Sequence, residues 1–161
     1  MINPEILREY DIRGIYEKSL TLNDVTKIAL SITKILINNK SPNIIIGHDG
    51  RISSLKIKNT LIENFTTYGI EVIDISLIPT PLSYFSSKCY KIPNLIMITG
   101  SHNPKEYNGL KMIIDNKPFF GKSIKSLNEV DVSSLIKKNG SVKFQNPLIR
   151  YQNEILNRFS N

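Results

Sequence analysis

Asn43-Ile44-Ile45-Ile46-Gly47-His48-Asp49-Gly50-Arg51 is the stretch on which the fold turns. Three successive isoleucines show no polar alternation. The strand they form, from Asn43 to Ile46, is therefore apolar on both sides and fits a sheet covered on both faces. The run stops at Gly47, and Asp49-Gly50 is a turn pair. The spacing then changes to that of a helix, so the stretch reads as a buried strand feeding a helix through a short polar loop. That is half of a βαβ unit.

Outward from this stretch the pattern repeats. Upstream, Thr21 caps a helix over Leu22 to Asn38, with Leu22, Val25, Ile28, Ala29, Ile32, Ile35 and Leu36 on one stripe. Downstream, a helix from Ser54 to Tyr68 turns Leu55, Leu61, Ile62, Phe65 and Tyr68 inward and stops at Gly69. Ile70 to Ile75 and Leu95 to Ile98 are further strands. Between them Pro79-Thr80-Pro81 opens a short helix that runs to Tyr90. Leu110 to Ile114 follows too closely for a crossover and is expected to run antiparallel. Tyr10 to Tyr16 reads as extended, with a break at Gly14. After an Asp115-Asn116 turn, Pro118-Phe119-Phe120 forms an arm whose aromatic pair caps the core or, if exposed, meets another domain. Ser123 to Lys138 reads as mostly helical, and Pro147 to Phe159 as a closing helix that reaches the last residues without a tail. The expected fold class is α/β: one three-layer α/β/α domain over 1–161 with a mixed, mostly parallel sheet.

Composition narrows the function. The chain has 161 residues, 40% apolar and 22% charged, which suits one globular domain and excludes disorder and coiled coil. No apolar run is long enough for a membrane span, and the first ten residues lack the core of a signal peptide. Cys89 is the single cysteine, which excludes an internal disulfide and a multi-cysteine zinc site. The expected location is cytoplasmic, with no membrane partner. The net charge of +7 raises nucleic acid as a partner, but the lysines are scattered and no basic run exceeds Lys137-Lys138. The charge fits a solvated lysine surface on a protein that handles small phosphorylated ligands, with no nucleic acid.

Against that lysine background the rare residues stand out. Arg8, Arg13 and Arg51 fall in the first third, and both histidines, His48 and His102, follow apolar strands. In open α/β sheets ligands bind beyond the carboxyl ends of the strands, where the loops at Gly47 to Arg51 and Thr99 to Pro104 lie. Thr99-Gly100-Ser101-His102-Asn103-Pro104 displays a hydroxyl, an imidazole and an amide between a flexible Gly and a stiff Pro. Ser101 there can act as a nucleophile or phosphate carrier, or the loop can be a plain polar turn. Lys111, in Asn108-Gly109-Leu110-Lys111, can fold back as a charge or a base, or be one more surface lysine. Arg51 can grip a phosphate or brace the neighbouring loop through Asp49. Arg8-Glu9-Tyr10-Asp11-Ile12-Arg13-Gly14 can be an amphipathic edge strand, or can bring Arg13 to a phosphoryl group with Tyr10 lining the cleft. His48 reads as structural, and Cys89 needs no function.

Together the Arg8–Gly14, Gly47–Arg51, Thr99–Pro104 and Asn108–Lys111 segments resemble the first domain of the α-D-phosphohexomutases. The phosphomannomutase/phosphoglucomutase branch is the nearest match, over nearly the whole chain. The resemblance implies that Ser101 carries a phosphoryl group as phosphoserine and exchanges it with a hexose 1- or 6-phosphate through a bisphosphate. His102 and Lys111 would flank the transferred group, with Lys111 the better candidate for proton transfer. Arg13 would hold the phosphoserine. Tyr10, Arg51 and Asn103 would line or bind the phosphorylated substrate, and Mg²⁺ would be ligated partly by the phosphoserine oxygen of Ser101. Members of this family have four domains, with an Asp-rich metal loop in the second. Here no Asp-x-Asp cluster occurs, and the Glu129 and Asp131 pair lies inside an expected helix, so the metal site is expected to be incomplete. The chain reads as a truncated form holding domain one alone, inactive as the isolated chain. A separate chain could supply the missing domains. The alternatives are a non-catalytic remnant or a small phosphate-ligand binding module.

Overall fold

The structure is a computed structural model that describes residues 1–159; the reading of a helix running to the last residues falls partly outside them. Seven strands form one sheet: β1 (Ile12–Ile15), β2 (Asn43–His48), β3 (Glu71–Leu77), β4 (Leu95–Ile98), β5 (Tyr107–Ile114), β6 (Lys117–Pro118) and β7 (Ser141–Phe144). The order is β1-β5-β4-β2-β3-β7, with β6 paired to β5. The β4–β2, β2–β3 and β3–β7 pairs are parallel, whereas every pair involving β5 is antiparallel. The sheet is therefore mixed: among the described residues six of its seven strands share one direction, and β5 runs against its neighbours.

Strand alternation divides the core into two. Ile44 and Ile46 of β2 and Ile96 and Ile98 of β4 enter the larger core, which α1 (Leu22–Asn38) and α2 (Ile52–Thr67) cover. Ile45, Leu95 and Met97 point the other way, toward Leu82 of α3 (Thr80–Tyr90). All of them are at least 99% buried. This is why the isoleucine run shows no alternation: each face of the pleat meets its own helical layer. α1 begins with a capping box, in which the Thr21 hydroxyl accepts from the Asp24 N–H and the Asp24 carboxylate accepts from the Thr21 N–H.

Several expectations are corrected. Leu22 and Leu55 face solvent at 38% and 51% exposure. Leu55 is out of register because α2 turns Ser54, Ile57 and Lys58 inward instead, and the buried Lys58 Nζ reaches Asp74 Oδ2 of β3 at 2.7 Å. Gly14 does not break β1; it pairs with Asn108, and a Cβ there would lie 2.8 Å from Ile6 Cγ2 and Ser19 Oγ. Phe119 packs on the core, but Phe120 is half-exposed.

The long helix over Ser123–Lys138 does not form. A four-residue α4 (Lys122–Lys125) gives way to a 3₁₀ turn at Ser126–Glu129. Val130-Asp131-Val132-Ser133 then disfavours helix, because β-branched side chains crowd the turn and Asp131 Oδ1 accepts from the Ser133 N–H locally. The chain instead hydrogen-bonds to the end of α2 through Lys138 and Gly140, and enters β7, a strand the sequence reading missed. The closing helix α5 (Leu148–Phe159) forms but buries no residue. It touches α3 through an edge-on ring contact between Tyr151 and Phe85, leaving Ile149, Leu156 and Phe159 exposed.

Candidate functional site

The loops after β2 and β4 meet beyond the strand ends, as expected for an open α/β sheet. Asp49 ties them together. Its carboxylate accepts from the Arg51 N–H at 3.1 Å, Ser54 Oγ at 2.7 Å and the Gly100 N–H at 3.2 Å, and pairs with Arg51 Nε at 3.1 Å. Burial pushes the Asp49 carboxyl up, but the hydrogen bonds from Ser54, Arg51, Thr99 and Gly100 outweigh it and hold the group below the ordinary aspartate value.

Arg51 spends the rest of its guanidinium on the serine loop. Nη1 donates to the carbonyls of Pro104 and Tyr107, and Nη2 to those of Ser101 and Asn103, at 2.6 to 3.0 Å. With Nε on Asp49, all five N–H donors are engaged. Of the two roles the sequence left open, the geometry is that of the brace; the phosphate grip assigned to Arg51 has no donor left to make it.

Ser101 stands exposed at the tip of this loop with φ +55°, in the left-handed region. Its N–H donates to Thr99 Oγ1. His102 Nδ1 lies 3.5 Å from Ser101 Oγ, at the outer limit of a hydrogen bond. Asn103 folds back through its side-chain amide onto the Gly100 carbonyl at 2.8 Å. His48 is buried and donates from Nδ1 to the Asp49 carbonyl at 2.8 Å, the structural role expected of it.

A second group forms across β1 and β5. Asp11, nearly buried, offers one oxygen to two cations: Oδ2 lies 2.6 Å from Arg13 and 2.9 Å from Lys111 Nζ. Lys111 is thus held in place, not a free surface lysine. Tyr10, Arg13 and Asn103 line one cavity of about 450 Å³, together with Arg8, Asp11 and Tyr107. Tyr10 itself is 78% exposed. Ser101, His102 and Lys111 are not among its lining residues. Asn103 is the member of the predicted set that belongs to both groups, since it also lines a neighbouring cleft with Asp49 and Arg51. The sequence reading gave no role to Asp11. Its spacing of two from Arg13 along an extended segment places both on one side, but its pairing with Lys111 depends on the sheet register.

The residues present do not make a magnesium site. Among the described residues no group of three or more His, Cys, Asp or Glu could hold a metal. Asp49 and Asp11, which border the serine loop and the cavity, are both committed to cations and N–H donors. Ser101 would contribute a single oxygen, short of what Mg²⁺ requires.

The fold and site together define a three-layer α/β/α domain that presents a serine loop and a polar, charged cleft at the carboxyl ends of its strands. The chain belongs to the phosphoglucomutase/phosphomannomutase family, whose alpha/beta/alpha domain I pattern matches residues 4–138. It is 34% identical over 151 residues to the phosphomannomutase/phosphoglucomutase of Pseudomonas syringae, covering 93% of this chain and 32% of that protein. It is 35% identical over 136 residues to the phosphoglucomutase of Neisseria meningitidis, covering 84% of this chain and 28% of the relative. A solved phosphoglucomutase/phosphomannomutase family protein from Burkholderia thailandensis superposes with a TM-score of 0.89 at 26% identity, over 98% of this chain and 36% of that one. The chain thus spans about a third of the length of these relatives.

Proposed function

We propose that this chain is the phosphoserine-bearing domain of a phosphomannomutase/phosphoglucomutase acting on a phosphohexose in the cytosol, and that the 161-residue chain has no mutase turnover alone. The observation that carries the reading is Ser101, exposed at φ +55° on a braced loop beside His102, in a chain of this family. In the reaction, a bond forms between Ser101 Oγ and the phosphorus of a hexose bisphosphate, and the phosphorus–sugar oxygen bond breaks. The serine proton leaves to a base, and the sugar oxygen takes up a proton. Lys111 would transfer the proton and Arg13 would hold the phosphoryl group; the ion pairs that fix both side chains on Asp11 support these roles. Catalysis of this type is mostly positioning and charge neutralisation, which two cations on one carboxylate supply as a net positive charge. Mg²⁺ ligands beyond Ser101, and the contacts that distinguish mannose from glucose, would come from other domains or another chain. The unburied apolar face of α5 supports such a partner.

The test is intact mass with peptide mapping after incubation with glucose 1,6-bisphosphate and Mg²⁺. One added phosphoryl group at Ser101, absent in Ser101→Ala, is expected. Retained labelling in Ser101→Ala moves the nucleophile elsewhere. No label, either alone or with the remaining domains of a relative added in trans, replaces this reading with that of a phosphate-ligand binding module. Conversion of mannose 1-phosphate to mannose 6-phosphate by the pure chain would refute the predicted inactivity.

A further inference from the structure

We infer that Arg51 is a positioning residue for Ser101. Held by Asp49 and seated over Gly100, it draws the peptide carbonyls of the serine loop to one side and leaves the other side to an incoming phosphoryl group. The inference rests on the phosphoserine reading above.

The geometry argues as follows. The carbonyls of Ser101, Asn103, Pro104 and Tyr107 all converge on one guanidinium. A carbonyl oxygen carries partial negative charge, so four of them turned toward a phosphate would oppose its approach. In a trans peptide the next residue's N–H points opposite the carbonyl. Drawing the Ser101 carbonyl onto Arg51 therefore points the His102 N–H away from it, and no peptide among the described residues is cis. The N–H groups of Ser101 and Asn103 are taken by Thr99 Oγ1 and the Gly100 carbonyl, so the His102 N–H, next to a left-handed residue, is the backbone donor this arrangement turns toward an anion. Ser101 holds that left-handed conformation at a cost in backbone strain, as any residue with a Cβ does.

Gly100 completes the arrangement. A Cβ there would fall 2.4 Å from Arg51 Cζ, 2.5 Å from Nε and 2.7 Å from the Tyr107 carbonyl oxygen. The glycine is thus required by the guanidinium lying flat against the chain, since its φ is not in the left-handed region. Lysine cannot replace arginine here, because a single ammonium cannot reach four carbonyls and a carboxylate from one plane.

The experiment compares wild type, Arg51→Lys, Gly100→Ala and the double variant in single-turnover phosphorylation by glucose 1,6-bisphosphate, titrating the bisphosphate. A loop misplaced by about an ångström lowers the plateau rate roughly 30–100-fold. Because Arg51 does not touch the bisphosphate, its half-saturating concentration stays within about twofold, and the double variant is no slower than the singles. Unchanged plateau rates overturn the proposal. A raised half-saturating concentration with an intact plateau also overturns it, since Arg51 would then grip phosphate directly. If the lysine variant does not fold, Gly100→Ala carries the same test. Amide hydrogen exchange is the second measurement. At Asn103 in either variant, and at Gly100 in Arg51→Lys, it should quicken at least ~10-fold, and unchanged protection overturns the clamp whatever the labelling shows. A wild type that takes no label at Ser101, alone and with the remaining domains of a relative added in trans, defeats the phosphoserine reading, whereas the exchange result decides the clamp separately.

Discussion

Asp11 and Asp49 use the same side chain for two tasks. Asp49 collects N–H and hydroxyl donors and fixes a loop, whereas Asp11 gathers two cations on one oxygen and fixes charge. Removing the charge from Asp49 should cost about 1–3 kcal/mol, because the donors around it lose an ionised acceptor. Urea unfolding of Asp49→Asn at pH 7 checks this. The pH dependence has a definite sign. The Asp49 carboxyl lies below its ordinary value when folded, so the unfolded chain takes up the proton first on acidification. Its contribution is complete above about pH 4 and is lost as pH falls through the folded value. Asp24, held low by the Thr21 cap and the Asn3 N–H against burial, acts in the same direction. Asp49→Asn should therefore flatten, though not abolish, the acid limb of stability followed by circular dichroism from pH 7 to 2. For Asp11→Asn, the expected outcome is a loss of about 10²-fold in the rate of Ser101 phosphorylation, since Lys111 and Arg13 lose the group that orients them. An unchanged labelling rate would leave Asp11 a purely structural role.

At the scale of elements, the helices that could be read from local rules are those whose ends carry their own signals. The capping box at Thr21 and Asp24 fixes the start of α1 from four residues. Thr21→Ala is expected to cost about 1 kcal/mol, seen as a lower urea midpoint with an unchanged slope. α2 is anchored differently. Lys58 is charged, sits on the inward face and reaches across to Asp74, which also accepts the Ser76 N–H where β3 bulges. Lys58→Ala leaves that half-buried carboxylate with the Ser76 N–H but without its cation, and a loss of about 1–3 kcal/mol is expected in the same assay. The segment after α4 shows the limit of periodicity. Its apolar residues suit a helical spacing, yet the backbone of Lys138 and Gly140 finds its partners on α2. Gly140 lies so close to Ile70 and Thr66 that a Cβ would be 2.3 Å from the Ile70 oxygen. No local signal announces such a contact.

For the molecule as a whole, the two cores are unequal, and so is the protection expected in them. β2 and β4 are buried from both sides, whereas α5 contributes no buried residue. Amide exchange should be slowest at Ile45, Ile46 and Ile96 and near the free-peptide rate along α5; strong protection of α5 would mean that its apolar face is covered in solution. The sequence by itself determined the βα alternation, the two covered faces of the sheet, the reversed β5 and the placing of both loops beyond the ends of β2 and β4. It could do so because each follows from local spacing: period two, period 3.6, turn residues, and a connection too short to cross over. It determined which rare residues to watch as well. Only the tertiary structure decided what those residues touch. Arg51 meets carbonyls fifty residues away, and Lys111 meets an aspartate a hundred residues away. Those partners are fixed by strand order and register, and register is set by the packing of whole layers.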